Sequence, residues 1–393
     1  MEINPVGRVA GRDRTASGRG GIVQAAWKGK SGDRMKLGIT NRLVRATHVR
    51  EAYPHVEPLA RLPGEHLPPP AEPRPDFAEE ARFLHAEGEA TPDMFAAILP
   101  DALYHASANI LVAGRGRILL DTDNVWQEWP NSPIHRRYYW RDQYLRPTRR
   151  LRGTTLALRS PANNYYHTVV DNLPRLFWLH QQAMAGIPIT ILVPGPYRPW
   201  EASYLPRLLP PTARIVEIEP RYLWRSDATL FGSYLSRAMS GHLPRRYLDF
   251  FLPRVLPARP RDRRHRIYIT RRSAPGGRRV TNEAEVVRVL ERYRVTPIAL
   301  EDLDLSAQIE LFYDAEAVVA PHGAGLTNML YAESIDVIEL HPTRAIMPHY
   351  YYMARSMGHR YCHLCADEQG RHSSFAVDVA ALERTLDTVF PTR

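Results

Sequence analysis

From residue 265 onward, short apolar runs alternate with stretches whose apolar residues recur at helical spacing. His265 to Thr270 alternates as a strand. Asn282 then stands as an N-cap with Glu285 three residues later, ahead of Val286, Val287, Leu290 and Tyr293 on one helical face. The beat continues through strand Val295 to Leu300, helix Ser306 to Tyr313, strand Ala317 to Ala320, helix Leu326 to Tyr331 and strand Asp336 to Leu340. Strands alternating with helices predict an α/β fold with a doubly wound parallel sheet, covered on both faces. Ligands of such sheets lie at the carboxyl ends of the strands, so the loops at Arg271, Glu301, Pro321 and His341 are expected to face one crevice.

The region from 95 to 260 is mixed. Ile110 to Ala113 and Ile118 to Leu120 read as short strands, Asn164 to Met184 as helical, and Pro188 to Pro194 as a buried strand rich in β-branched residues. This predicts a first α/β lobe over 76–255. Prolines and arginines crowd Pro253 to Arg264, the expected linker, and a second lobe follows over 262–375. A C-terminal helix within 376–393 is expected to pack back on the N-terminal lobe. Ahead of the lobes, residues 1 to about 50 are rich in Gly, Arg, Lys and Ser, and prolines recur from Pro54 to Pro75. Together 1–75 read as a flexible basic tail and a Pro-rich spacer, with the folded body starting near 76.

The 393 residues are 44% hydrophobic, enough for two or three ordinary cores. No stretch reaches the roughly 20 apolar residues that span a bilayer, and the N-terminus lacks a signal-peptide core, so the expected place is the cytoplasm, peripheral to the inner membrane at most. A net charge of +10 fits nucleic acid, anionic membrane or phosphorylated partners equally. The arginines are spread along the chain and neither lobe carries a nucleic-acid module, so nucleic acid is not an expected partner. Cys362 and Cys365, within a strand-like run, supply half of a zinc site and no disulfide framework.

The strongest chemical signal is Val318-Val319-Ala320-Pro321-His322-Gly323-Ala324-Gly325-Leu326-Thr327-Asn328. An apolar strand ends, two glycines permit close approach, and a helix begins with its first N–H groups able to bind an anion. A diphosphate fits; glycines used only for steric reasons fit as well. The spacing matches neither a dinucleotide fingerprint nor a P-loop. Arg271 and Arg272, with Arg278 and Arg279 a short loop later, are candidate clamps for diphosphate oxygens. Glu339, closing the strand after the glycine loop, is placed to accept from ribose hydroxyls, or to pair with an arginine. Within Asn163 to Arg175, a helix would put His167 and Asp171 at i and i+4 on one face, a candidate general base with its carboxylate or a purely structural pair. Pro174 would then break that helix or open a new one capped by Asn172. Asp121-Thr122-Asp123 and Asp302-Leu303-Asp304 read D-x-D, a motif too short to specify a cation site. Tyr138, Tyr139 and Trp140, beside Arg136, Arg137 and Arg141, could stack on sugars or pack in a core.

Taken together these motifs resemble the family 61 glycosyltransferases, which include bacterial capsular polysaccharide enzymes and plant and animal xylosyl- or N-acetylglucosaminyltransferases. The resemblance covers about residues 160 to 345. It rests on Tyr166-His167 with Asp171 and Leu173-Pro174-Arg175, on Thr270-Arg271 with Arg279 and Asn282-Glu283, on Glu301 with Leu305-Ser306 and Gln308, and on the glycine loop followed by Ile338-Glu339-Leu340. It implies a GT-B-like fold of two Rossmann-like lobes with a cleft between them, an inverting reaction, a UDP-sugar donor and no obligatory metal or other cofactor. Carried onto this chain, Arg271, Arg279, His322, Gly323, Ala324, Gly325, Asn328 and Glu339 would bind the donor, and His167 and Asp171 would serve the saccharide acceptor. Polysaccharide-assembly partners are a further expectation, and the same fold without catalysis would make a sugar-nucleotide-binding scaffold. One departure stands out: family members often place a tryptophan after the histidine, where this chain has Thr168.

Overall fold

The computed structural model of the protein describes residues 45–66, 68–69, 90–91, 93–114, 116–122, 146–235, 241–271, 278–343, 347–366 and 374–390. Two sheets organise them. The first contains β1 (Arg45–Thr47), β2 (Ala60–Leu62), β3 (Met94–Pro100), β4 (Leu103–His105), β5 (Ile110–Ala113), β6 (Arg117–Leu119), β7 (Thr148–Ala157), β8 (Ile189–Pro194), β9 (Ala213–Ile218) and β10 (Leu223–Gly232). Their order is β1-β6-β5-β4-β10-β7-β8-β9, with β3 joining β10 and β2 joining β3. The run β10-β7-β8-β9 is parallel. β8 is buried at every position, as a strand covered on both faces must be. The other half is largely antiparallel: β3 and β4 pair with β10 that way, and β5 with β4 and β6.

The expected second Rossmann-like unit is therefore a mixed sheet. The reason is local. Asp101, Asn109, Gly114 and Gly116 hold left-handed φ angles between 48° and 85° in the short connections of the β3–β6 meander, and connections that short join only antiparallel neighbours. A second correction concerns the folded body, which includes paired strands from Arg45 on and not only from a position near 76. β1 pairs with β6 and β2 with β3, while Val49 in the helical turn Val49–Ala52 sits in a core with Phe95, Leu99, Leu111 and Leu119. Proline density disguised strands that need only three residues of pairing. Of the densest run, Leu67 and Pro70 lie outside the described residues, while the Pro68 carbonyl accepts from Arg355 Nε at 3.0 Å.

Helices α1 (Pro199–Leu208) and α2 (Arg245–Val255) complete the first half. The second sheet holds β11 (His265–Ile269), β12 (Thr296–Ile298), β13 (Ala315–Pro321), β14 (Asp336–Pro342) and β15 (Arg360–Ala366), all parallel, in the order β12-β11-β13-β14-β15. Its helices are α3 (Glu283–Arg292), α4 (Leu305–Tyr313), α5 (His349–Met357) and α6 (Val379–Val389). Strand residues alternate between faces. Ile267, Ile269, Val318, Ala320 and Val337 enter an apolar cluster continuous with Trp178, Tyr247 and Phe251 of the first half. Tyr268, Val319, Ile338 and Leu340 enter the opposite cluster, with Val286, Val289 and Leu290 of α3 and Leu382, Leu386 and Val389 of α6. The C-terminal helix thus covers the far face of the second sheet instead of returning to the N-terminal lobe, because its apolar stripe complements that of α3. No described helix is long and apolar enough to cross a membrane.

The strand order fixes where a ligand can sit. From β11 the chain steps one way to β12 and the other way to β13, β14 and β15, so the crevice of this doubly wound sheet opens past the carboxyl ends of β11 and β13.

Candidate active site

Arg271 stands two residues past the end of β11, and the loop that closes β13 brings Gly323 against it. After Pro321, Gly323 is fully extended (φ 171°, ψ 164°) and the chain winds into a 3₁₀ helix, Ala324–Tyr331, two residues earlier than the periodicity predicted and more tightly coiled. The first N–H to close a turn is that of Leu326, on the Gly323 carbonyl at 3.0 Å. The N–H groups before it have no intrahelical acceptor, which is the property an anion uses. The two glycines differ. A side chain at 323 would run into the Arg271 guanidinium, whereas one at 325 would press within 2.9 Å of Leu300 Cδ1. Gly325 is thus the steric glycine of the β11 packing, and Gly323 the one that lets a cation lie against the backbone.

Arg271 makes no ion pair or hydrogen bond among the described residues, and its Nε is enclosed without a partner. Burial foremost, and then the neighbouring charge of Arg278, pushes its pKa down. Arg279 adds to the same positive field; its side chain is exposed while its carbonyl accepts the Phe375 N–H at 3.0 Å. A half-buried guanidinium among like charges is a poor arrangement for an empty protein and a good one for binding a polyanion. Arg272 lies outside the described residues.

Beneath the loop is an imidazole–carboxylate pair. His322 Nδ1 and Glu339 Oε1 are 2.6 Å apart. The other carboxylate oxygen accepts from Tyr361 Oη at 2.6 Å and lies 3.2 Å from His341 Nε2. Strand period explains the grouping: Glu339 and His341 on β14, and Tyr361 on β15, share the face opposite Ile338, Leu340 and Cys362. Burial by itself would raise the Glu339 carboxyl, but His341 and His322 outweigh it and hold the group well below the usual carboxylate range. At His322 burial dominates and disfavours the imidazolium, with Glu339 opposing. Glu339, expected at ribose hydroxyls or on an arginine, is instead fully buried with both oxygens engaged by protein groups. Its action on a donor would pass through His322. Among the described residues, His322, Glu339 and His341 are the one group with metal-ligand spacing. Two ligands of a tetrahedral zinc stand about 3.3 Å apart for bonds of 2.0–2.1 Å, so the 2.6 Å contact has the length of a hydrogen bond.

The first half contributes a matching pair. His167 Nδ1 meets Asp171 Oδ2 at 2.7 Å, with Asp171 fully buried. Asn164 caps this turn by accepting the His167 N–H at 3.1 Å. The helix is not a plain α-helix as the i, i+4 argument assumed. Tyr165–His167 is α, Thr168–Asn172 widens to a π-turn, and Leu173–His180 tightens to 3₁₀ with Pro174 near its start, one of the two outcomes expected there, though without a side-chain cap from Asn172. Such π segments concentrate at functional sites. Donation through Nδ1 directs Nε2 away from the carboxylate, the orientation of a general base. Thr168 receives the indole N–H of Trp200 on its Oγ1 at 3.3 Å, so an aromatic ring does stand beside this position, delivered by α1.

Ring contacts join the two pairs. Tyr166 lies 5.1 Å from His167 and stacks on His349 at 5.2 Å, and His349 lies 6.1 Å from His322. Tyr350 Oη donates to the Gly323 carbonyl at 2.6 Å. Sequence reasoning overlooked His349, Tyr350 and Tyr361, and took His341 as a crevice loop position where it is a buried residue of β14. Glu339-x-His341 at strand period was a readable signal; His349-Tyr350-Tyr351-Tyr352 reads as core packing, which for the most part it is.

Asn328 departs from expectation. It is completely buried, taking a hydrogen bond from Tyr165 Oη at 2.6 Å and giving one to Gln308 at 2.8 Å. It joins the loop helix to the His167 turn and contacts no crevice. The D-x-D motifs are structural where described: Asp121 accepts the Val49 N–H at 2.6 Å, and Asp304 caps α4 through the Ala307 N–H at 2.8 Å. Asp123 and the residues from Arg136 to Arg141 lie outside the described residues.

Residues 165–347 match the family model for Glycosyltransferase 61. The matched segment is that of a family 61 glycosyltransferase. The matched span of this glycosyltransferase runs from Tyr165 through both imidazole–carboxylate pairs, Arg271 and the glycine loop. Membership implies a sugar donor and an acceptor. No curated protein matches the chain.

Proposed function

We propose that this glycosyltransferase moves a sugar from a UDP-sugar to a saccharide hydroxyl with inversion, in a GT-B-type cleft between its two halves. The observation that carries the reading is the Arg271 guanidinium, which has no ion pair or hydrogen bond among the described residues and lies on Gly323 at the start of the 3₁₀ helix. The diphosphate would lie along the N–H groups of Gly323, Ala324 and Gly325, with Arg271 and Arg279 neutralising it, while His322, its Nδ1–H taken by Glu339, presents Nε2 to accept from a donor hydroxyl. The acceptor hydroxyl gives its proton to His167 Nε2, oriented by Asp171, and attacks the anomeric carbon as the bond to the diphosphate breaks. Attack from the face opposite the leaving group inverts the centre. Charge developing on the leaving diphosphate is met by fixed cations and N–H dipoles, an arrangement that needs no obligatory metal. Bacterial surface or capsular polysaccharide synthesis, in the cytoplasm at the inner membrane face, is the setting that agrees with this chemistry.

A thermal-shift screen of UDP-, GDP-, CMP- and dTDP-sugars, followed by turnover assays on the ligands that bind, tests the proposal. UDP-sugars should raise the melting temperature and be consumed. Asp171→Asn should lower turnover by at least about 100-fold, the usual share of a positioned base, with UDP affinity kept. Stabilisation by another nucleotide alone would overturn the donor assignment, and normal turnover in Asp171→Asn would overturn the base.

A further inference from the structure

Between the two imidazole–carboxylate pairs lies a third imidazole that neither pair uses. His349 opens α5, two residues past the end of the family match at 347. Its ring stacks on Tyr166 with 28° between planes and stands 6.1 Å from His322, so it occupies the interval between the base turn and the donor loop. Backbone contacts fix it there. Gly241, at φ 79°, lies where a side chain would strike the His349 carbonyl. The next residue, Tyr350, is tied to Gly323.

His349 is half-buried as a residue, yet its Nδ1 is shielded from solvent and has no hydrogen-bond partner among the described residues. An orphaned buried polar atom costs on the order of 1–3 kcal/mol, which a purely packing role leaves unexplained. Burial, and then the charges of His322 and His167, push its pKa down to about 3, so the ring is neutral near pH 7. A neutral imidazole offers one donor and one acceptor, the complement of a hydroxyl; a phosphate calls for donors and positive charge.

We propose that His349 contacts the transferred sugar, its imidazole hydrogen-bonding a hydroxyl of the ring held between the glycine loop and His167, and thereby helps to select which sugar is transferred. The inference rests on the nucleotide-sugar reading above. Hydrogen-bonding sites discriminate by leaving a buried polar group unpaired when the wrong ligand enters, a stronger filter than an apolar wall.

Calorimetric titration of UDP, UDP-glucose, UDP-N-acetylglucosamine and UDP-xylose into wild type, His349→Phe and His349→Gln separates the possibilities. His349→Phe keeps an aromatic ring on Tyr166 and loses both nitrogens; His349→Gln keeps a donor and an acceptor. Wild type should bind one UDP-sugar more tightly than UDP. His349→Phe should bind UDP within about twofold of wild type but that UDP-sugar about tenfold more weakly, one lost hydrogen bond to a neutral group. His349→Gln should recover part of the difference. A variant that weakens UDP and UDP-sugar equally, or weakens neither, would overturn the sugar contact while leaving the donor reading intact. Failure of wild type to bind UDP or any of the sugars would overturn the donor reading and this inference with it.

Discussion

Arg271, Gly323, His322 and Glu339 show how single residues here act through one another. Gly323 is extended, a conformation open to any residue, so its requirement comes from the guanidinium that would collide with a β-carbon. Gly323→Ala should therefore lower UDP affinity about tenfold or more by displacing Arg271, with little change in melting temperature; calorimetry alongside thermal unfolding would show this, and unchanged affinity would count against it. Glu339→Gln keeps the shape of a side chain whose carboxylate orients His322. A donor-binding deficit in this variant, despite the lack of any path from Glu339 to solvent, would demonstrate action through the imidazole. At this scale the sequence was informative about identity and less so about role. Arg271, His322 and the His167–Asp171 pair stand where their spacing put them. The inward turn of Glu339 and Asn328 was not readable, because strand parity and inter-element partners decide it, and neither is local.

Among the elements, the helix rhythm of the second half was legible almost strand by strand, since each βα unit carries its own period and its own turn chemistry. The π-turn at Thr168–Asn172 and the 3₁₀ helix at Ala324–Tyr331 were not, because both keep the apolar spacing of a short α-helix while changing its pitch. These two irregular elements are joined by a buried tyrosine cluster. Tyr165 Oη donates to Asn328 and lies 3.0 Å and 3.1 Å from the hydroxyls of Tyr204 and Tyr331. Tyr165→Phe removes the one phenol that reaches Asn328 among the described residues and should cost on the order of 1–3 kcal/mol of stability. It should also lower turnover by loosening the His167 turn, whereas Tyr331→Phe should destabilise without that kinetic loss. Equal kinetics in the two variants would remove the coupling. In α6, Leu386→Ala should cost about 2–5 kcal/mol in denaturant unfolding while leaving UDP binding unchanged, since its cluster lies on the far face of the sheet.

The whole molecule stores several imidazoles out of water. Burial holds His242, His359 and His363 down at about 4 and His349 at about 3. With folded values below the ordinary ~6.5, the unfolded chain takes up protons that the folded chain refuses. Their contribution to stability is intact above about pH 6.5 and declines as pH falls through 6.5 toward 4, by up to about 1.4 kcal/mol per pH unit for each group. Glu339, held low, loses its contribution in the same direction, below the ordinary carboxylate value of about 4.3. Melting temperature should thus drop steeply between pH 6.5 and 4.5, and a flat profile would contradict the buried-neutral assignment. The α/β class and the parallel sheet of the second half were legible at this scale; the antiparallel meander, the strands before residue 76 and the docking of α6 were not, because long-range pairing chose among elements that local pattern left equivalent. The central claim is that Arg271 and the glycine loop seat a diphosphate, and comparing UDP with UMP binding in wild type and Arg271→Gln tests it most directly. Wild type should favour UDP by at least about tenfold, roughly 1.4 kcal/mol, and Arg271→Gln should lose that preference while still folding. A preference that survives the substitution, or a wild type indifferent to the second phosphate, would contradict it.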